Sequence, residues 1–444
     1  MAGVGVTPYW ELTFDTDGDV DQEQRDALLA GVQRERLTDL VVFAHGWNND
    51  RSRATRLYTR FFEPFPELLA GSRARVGYAG VIWPALRFTD EPIPDFDPSP
   101  PTAAAPRAAA AAGEPVLEDS LRRELAQAFP GREMVLERLA QLLSERPDAR
   151  SAFDEFARLV RELVSVRQDS PDLLFAADSG DGLPAMLTDD PLEVCEVFTA
   201  ALRSAGVAVW PGEDVDAEQR PLFGGGLTRT WHGARELLRQ GSYYAVKRRA
   251  GTVGRLGLGP VLGRLADAAA GVRVHLAGHS FGARLVSYAL RGLEPDARLV
   301  KSVTLLEGAF SHYAFSPELP HDRARAGALE GMQERIDGPL VSCYSRHDDA
   351  LGTFYPLASK LAGDSASFLG LFDRWGAIGF DGIQAVAGTR RLRLGEELPT
   401  SPGCVNVDAS AVVRRGGPPA GAHSDICHPE LARVILEAGR VGRA

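Results

Sequence analysis

"VRVHLAGHSFGARLVSYAL", residues 272–290, decides how this chain is read. An apolar, β-branched run ends at Gly278 and a helix-forming run follows Gly282, so the segment predicts a buried strand that turns at once into a helix. Between them stands GHSFG, 278–282. So tight a turn requires glycine at 278 and 282, where side chains would collide. It leaves the Ser280 hydroxyl exposed at the carboxyl end of a sheet. The helix start, beginning with Phe281, aims backbone N–H groups at the same spot. The alternative is a glycine-rich turn with a structural serine. The choice between them depends on whether other segments supply a base, an acid and oxyanion donors.

Strand and helix alternate on both sides of this segment. "LTDLVVFAHGW" (37–47) predicts a buried strand, "RATRLYTRFFEPFPELLA" a helix with a proline-disturbed end, and "ARVGYAGVIWPAL" (74–86) a strand that stops at Pro84. Further on, "LVKSVTLLEGAF", "PLVSCYS" (339–345) and "GCVNVDAS" (403–410) predict strands, and "HPELARVILEAG" a closing helix with proline in its first turn. This alternation predicts an α/β protein with a doubly wound, mostly parallel sheet. Its two parts are residues 1–90 and 230–444. Residues 91–229 read as a mainly helical insertion or cap with a Pro/Ala-rich leader, followed by helical periodicity in "LRRELAQAF", "REMVLERLAQLLSE", "AFDEFARLVRELVS" and "DPLEVCEVFTAALRSAG". "GARELLRQGSYYAVKRRA" and "VGRLGLGPVLGRLADAAAG" lead back to the sheet. Glycines at 254, 257, 259 and 263 weaken the second as a regular helix. The basic tract "VKRRAG" reads as a solvated helix end, with a patch for acidic ligands as its alternative.

A serine nucleophile needs a histidine held by a carboxylate. His423, in the glycine-containing loop "GAHSDICHPE", is the favoured base. His428 adjoins Pro429 and reads as a helix start. His279 sits inside the turn, where it cannot readily bend back to act as the base, and His275 reads as a core residue of the strand. The acid is expected after "LVSCYS", at Asp348 or Asp349, with Asp408 the remaining candidate. His347 beside them shapes a pocket or is simply exposed. For the oxyanion, "FAHGWNND" (43–50) places Trp47 N–H after Gly46, to act with Phe281 N–H. His45 can brace that loop, Asn48 and Asn49 read as turn-formers, and Asp50 as a helix cap. His312 reads as lining a pocket. Trp47, Phe281, Phe310, Tyr313 and Phe315 offer an apolar lining, though each is individually as compatible with the core.

With these residues in place, the chain resembles an α/β-hydrolase. "HGWNND" and "GHSFGARL" are similar to a bacterial branch of largely uncharacterised serine hydrolases. The resemblance covers both outer parts, and it implies the order Ser280, Asp348, His423 with an oxyanion loop at His45–Gly46–Trp47. It also implies acyl transfer on a small-molecule or lipid-like carboxylic ester, without metal or organic cofactor. An amidase, thioesterase or acyltransferase of the same fold is the alternative, as is a nonenzymatic binding protein on this scaffold. The family commonly carries a helical cap before the nucleophile strand. The insertion resembles one, but its length and Pro/Ala tract depart from a compact lid, so it is also a candidate surface for a protein partner.

Composition narrows the classes further. The net charge is −11 over 444 residues, with no basic block, which argues against nucleic acid. No basic leader precedes an apolar core, and no apolar run reaches the roughly 18 residues of a membrane span, so a cytoplasmic protein is expected. Cys195, Cys343, Cys404 and Cys427 lie far apart, without the spacing of a zinc site or a disulfide framework. They read as buried thiols, with Cys427 near His423 and His428 as a ligand cluster the alternative.

Overall fold

The computed structural model of the protein describes residues 4–47, 49, 51–86, 116–164, 185–204, 226–348, 350–354, 376–416 and 421–442. The Pro/Ala tract, Asn48, Asp50 and Asp349 lie outside these residues.

Eight strands form one sheet in the order β1-β3-β2-β4-β5-β6-β8-β7. They are β1 (Tyr9–Thr13), β2 (Asp39–Ala44), β3 (Val76–Ile82), β4 (Arg273–His279), β5 (Val300–Leu306), β6 (Pro339–Tyr344), β7 (Arg390–Arg393) and β8 (Gly403–Asp408). Every neighbouring pair in the sheet is parallel. The sheet is doubly wound and carries a long helical insertion, which is the architecture of the α/β-hydrolase fold.

Side-chain alternation along the strands divides the core in two. On β2, Leu40, Val42 and Ala44 join a cluster with Leu28, Leu258, Leu262, Leu285 and the insertion helices. Val41 and Phe43 point the other way, onto Leu57, Tyr58, Phe61 and Phe62 of the helix Arg51–Phe62. The helix Pro429–Ala438 covers the same face through Leu431 and Ile435. Strands covered on both faces need continuous apolar runs, and β2 to β6 carry them.

Among the described residues the helices α1 (Gln22–Arg34), α2 (Arg51–Phe62) and α3 (Phe65–Leu68) precede the insertion, which contributes α4 (Asp119–Ala128), α5 (Glu133–Glu145), α6 (Arg150–Val164) and α7 (Pro191–Ser204). The helix α8 (Trp231–Thr252), followed by α9 (Gly259–Ala268), joins them to the sheet. Trp231 stacks on Phe153 of α6, with ring centroids 4.5 Å apart. At the other end Tyr243 meets Phe281, 4.3 Å away, on α10 (Phe281–Arg291).

The tract "VKRRAG" corrects one expectation. It is no solvated helix end. Arg249 is half-buried and donates to the carbonyls of Pro84 (2.9 Å) and Ala128 (2.8 Å). Burial, together with the neighbouring Arg248, lowers its pKa to about 10. The guanidinium fastens the end of α4 to the loop after β3, so its job is internal. No helix among the described residues is long and apolar enough to cross a membrane.

Candidate active site

All strands being parallel, their carboxyl ends share one edge. Ala44, Gly278, Leu305 and Ser342 stand in one cross-strand row, so the loops after β2, β4, β5 and β6 leave the sheet side by side. Such an edge, where neighbouring connections diverge, is where open α/β sheets place ligands.

The turn after β4 is as compressed as its glycines require. A Cβ on Gly278 would lie 2.3 Å from the Gly282 carbonyl oxygen, and one on Gly282 would lie 2.1 Å from the Ala44 oxygen. Ser280 takes φ 55°, ψ −120°. This region is costly for a residue with a side chain, by about 1–3 kcal/mol. Three hydrogen bonds hold it there: Ser280 N–H donates to Leu306 O (3.0 Å), and its carbonyl accepts from Ala283 N–H (3.1 Å) and Ala309 N–H (3.2 Å).

The loop after β2 abuts the serine. A Cβ on Gly46 would stand 2.5 Å from Ser280 Cβ. His45 donates from Nδ1 to Gly46 O (2.9 Å) and accepts Trp83 Nε1–H at its own carbonyl (2.9 Å). Asn49 folds back, its amide donating to Trp47 O (3.0 Å) and more weakly to Gly46 O (3.4 Å). Trp47 packs on Tyr243 and Phe281 at 5.2 and 6.2 Å between ring centroids. Phe281 N–H opens the first turn of α10, where no helical carbonyl precedes it.

The loop before Pro429 brings His423 to the serine. Ser280 Oγ–H donates to His423 Nε2 (2.9 Å), and His423 Nδ1–H donates to Asp348 Oδ2 (2.6 Å). The carboxylate can only accept from the ring, which fixes the tautomer and leaves Nε2 facing the hydroxyl. Asp348 is fully buried and its Oδ1 accepts Leu351 N–H (2.9 Å). Ala422 N–H donates to His347 O (2.8 Å), tying the histidine loop directly to the acid loop. His347 itself is exposed.

His279 has a use that sequence reasoning passed over. Its Nε2–H donates to the His423 carbonyl (2.7 Å), clamping the histidine loop onto the turn. Burial, and then the nearby His423 ring, push its pKa down to about 3, so it is neutral. A second residue was missed as well. Glu307, buried at the end of β5, lies against Asp348. The available signal was an acidic residue closing the apolar run "VTLL". Tyr243, completing the aromatic group beside the serine, left no mark beyond helical spacing.

The other candidates sit elsewhere. His428 pairs through Nε2 with Asp425 Oδ1 (2.9 Å), and Asp408 accepts Ser410 N–H (3.0 Å). His275 is enclosed between Asp39 (2.9 Å) and Ser302 (3.1 Å) within the sheet. His312 donates from Nδ1 to Asp381 (2.8 Å). Phe310 and Phe315 are fully buried in the core, and Tyr313 is nearly so. Cys427 belongs to no group of three or more His, Cys, Asp or Glu able to hold a metal ion among the described residues. No family model, curated protein or solved structure matches the chain.

Proposed function

We propose that the protein is a serine hydrolase that cleaves carboxylic esters through an acyl-enzyme. One observation carries the reading: the relay in which Ser280 donates to His423 (2.9 Å) and His423 to Asp348 (2.6 Å), at the end of a strand whose turn holds the serine at φ 55°, buried beside the histidine loop. His423 takes the hydroxyl proton as Ser280 Oγ attacks the ester carbonyl, and Asp348 holds the ring and balances the imidazolium. Trp47 and Phe281 N–H groups receive the oxyanion; each such donor typically lowers the barrier by about 3 kcal/mol. His423 then protonates the leaving alcohol and activates water for deacylation. The grouping of Trp47, Tyr243 and Phe281 beside the serine favours an apolar acyl or alkyl group.

The test is labelling of the folded protein with a fluorophosphonate probe, the adduct being located by mass spectrometry. Labelling at Ser280, lost in Ser280→Ala and strongly reduced in His423→Ala, supports the reading. Hydrolysis of ester, thioester and amide panels then identifies the class, with esters expected to lead. A folded protein that leaves Ser280 unlabelled and all panels intact would overturn it, in favour of a binding protein on this scaffold.

A further inference from the structure

The catalytic edge holds a carboxyl that acyl transfer does not require. Glu307 follows Leu306 at the end of β5, is 1% exposed and has φ 46°. Its backbone is pinned from two sides. The N–H donates to Cys343 O (3.1 Å) on β6, and a Cβ added to Gly379 would stand 2.3 Å from the Glu307 carbonyl carbon. The side chain is thereby held against the carboxyl of Asp348.

No donor satisfies it. Neither Glu307 carboxyl oxygen accepts a hydrogen bond from a donor group. The N–H of Ser345 faces it but is committed to Gly379 O (3.0 Å). The other groups that bear on it are Asp348 and, at longer range, Asp425 from the histidine loop. Beneath it lies the Cys343 thiol, itself pushed up by burial and by Glu307. Two touching buried carboxyls cannot both ionise. The hydrogen bonds decide which one keeps the proton. Asp348 accepts from His423 Nδ1 (2.6 Å) and from Leu351 N–H (2.9 Å), whereas Glu307 accepts from nothing. Burial and the Asp348 charge accordingly hold the Glu307 carboxyl well above the usual carboxylate range.

We propose that Glu307 stays protonated through neutral pH and donates its carboxyl proton to Asp348, extending the relay to Glu307–Asp348–His423–Ser280 and moderating the pull of Asp348 on the His423 ring. Glu307 is thus a positioning residue, acting on the serine only through its neighbours. Charge that Asp348 shares with Glu307 is not available to stabilise the imidazolium that forms as the serine attacks.

This rests on the serine-hydrolase reading for its kinetic consequence, though not for the proton itself. The proton is read by infrared spectroscopy at neutral pH: a protonated-carboxyl C=O band is expected in the wild type and absent from Glu307→Gln. That measurement needs no turnover. A wild type lacking the band overturns the proposal and leaves the hydrolase reading intact, whereas a band with an inert Ser280 does the reverse. The kinetic arm is the pH profile of kcat/KM. In Glu307→Leu the acid limb is expected to move up by roughly half a pH unit or more, and in Glu307→Gln, which keeps an N–H donor, to return to the wild-type position. An ionised Glu307 predicts the opposite, with both limbs moving down. A purely structural Glu307 moves neither limb. Either result overturns the proposal. If the leucine variant does not fold, the glutamine variant still decides through stability. Above the ordinary value of 4.5, Glu307 by itself takes stability from the wild type as pH rises, because only the unfolded state gives up that proton. Glu307→Gln is expected not to share that loss, and a parallel loss in both proteins overturns the proposal.

Discussion

On the serine-hydrolase reading, Ser280 is the residue at which stability and chemistry conflict. Its φ of 55° suits glycine, yet glycine has no hydroxyl, so the chain retains a strained serine and surrounds it with glycines that have no choice. The strain is measurable. Ser280→Ala and Ser280→Gly both remove the hydrogen bond to His423, so their difference reports the backbone alone. Glycine ordinarily destabilises an ordered segment relative to alanine. Here Ser280→Gly is expected to be more stable than Ser280→Ala by about 1–2 kcal/mol in urea unfolding. The usual order, with alanine ahead, would mean that the turn stores no strain. Next to it, His279 acts through the His423 carbonyl 2.7 Å away. His279→Leu is expected to slow fluorophosphonate labelling by about tenfold, since a misplaced base loses most of its effect. His279→Gln, which can again offer a donor, is expected to recover part of that rate. Equal labelling in all three proteins would leave the clamp without a role in the chemistry.

At the scale of elements, glycines govern how closely helices approach. The four at 254, 257, 259 and 263 read in sequence only as weak points in a helix. The structure gives the first three a purpose: in a π-helical turn (Val253–Leu258) and the start of the helix Gly259–Ala268, they let backbone meet backbone. A Cβ on Gly254 would lie 2.2 Å from Leu285 O, one on Gly257 2.5 Å from Gly18 O, and one on Gly259 2.6 Å from Gly292 Cα, while Gly263 has nothing within 4 Å. Two substitutions in one segment therefore carry opposite signs. Gly254→Ala is expected to destabilise by about 1–3 kcal/mol through overpacking, and Gly263→Ala to stabilise by up to about 1 kcal/mol through chain entropy. Thermal melts of the pair check both, and a common sign would refute the packing account. The same physics explains what was legible. Strands β2 to β6 were readable because burial on both faces demands apolar runs. The edge strands β1 and β7 were not, since "YWELT" is mostly half-buried and "RRLR" mostly exposed. The helix Gln22–Arg34 escaped notice because it buries only Leu28, Gly31 and Val32. That Ser280, His423 and Asp348 stand side by side was legible because strand ends and chain order restrict where such loops can meet. Glu307 and Arg249 could not, because their partners are fixed only by packing between distant segments.

Over the whole molecule, buried groups with opposite responses to protons bracket the range of pH in which the fold is most stable. His275 and His279 lie on the same face of β4, near opposite ends of the strand. His275 bridges Asp39 on β2 and Ser302 on β5, and a Cβ on Gly439 would stand 2.1 Å from its Nδ1. Both histidines are held neutral chiefly by burial, and for His279 the pKa falls from 6.5 to about 3. In the unfolded chain they take up protons as pH falls through 6.5, while the folded chain does not, so stability falls on the acid side. Glu307 has the opposite sign, its folded carboxyl keeping a proton that the unfolded chain releases above 4.5. Below 6.5 His279 offsets it and His275 adds to the acid-side loss, whereas above 6.5 Glu307 acts without them. These groups alone therefore place a stability maximum near 6.5. Each proton contributes a slope of up to about 1.4 kcal/mol per pH unit within its own window. Urea unfolding across pH is expected to show a shallower acid side in His279→Gln, by close to one proton, with the alkaline side unchanged. Glu307→Gln is expected to flatten the alkaline side and leave the acid slope below its own window intact. An unaltered acid slope in His279→Gln would mean that the ring is already charged or solvated in the fold, and the clamp on His423 would have to be rebuilt around a different tautomer.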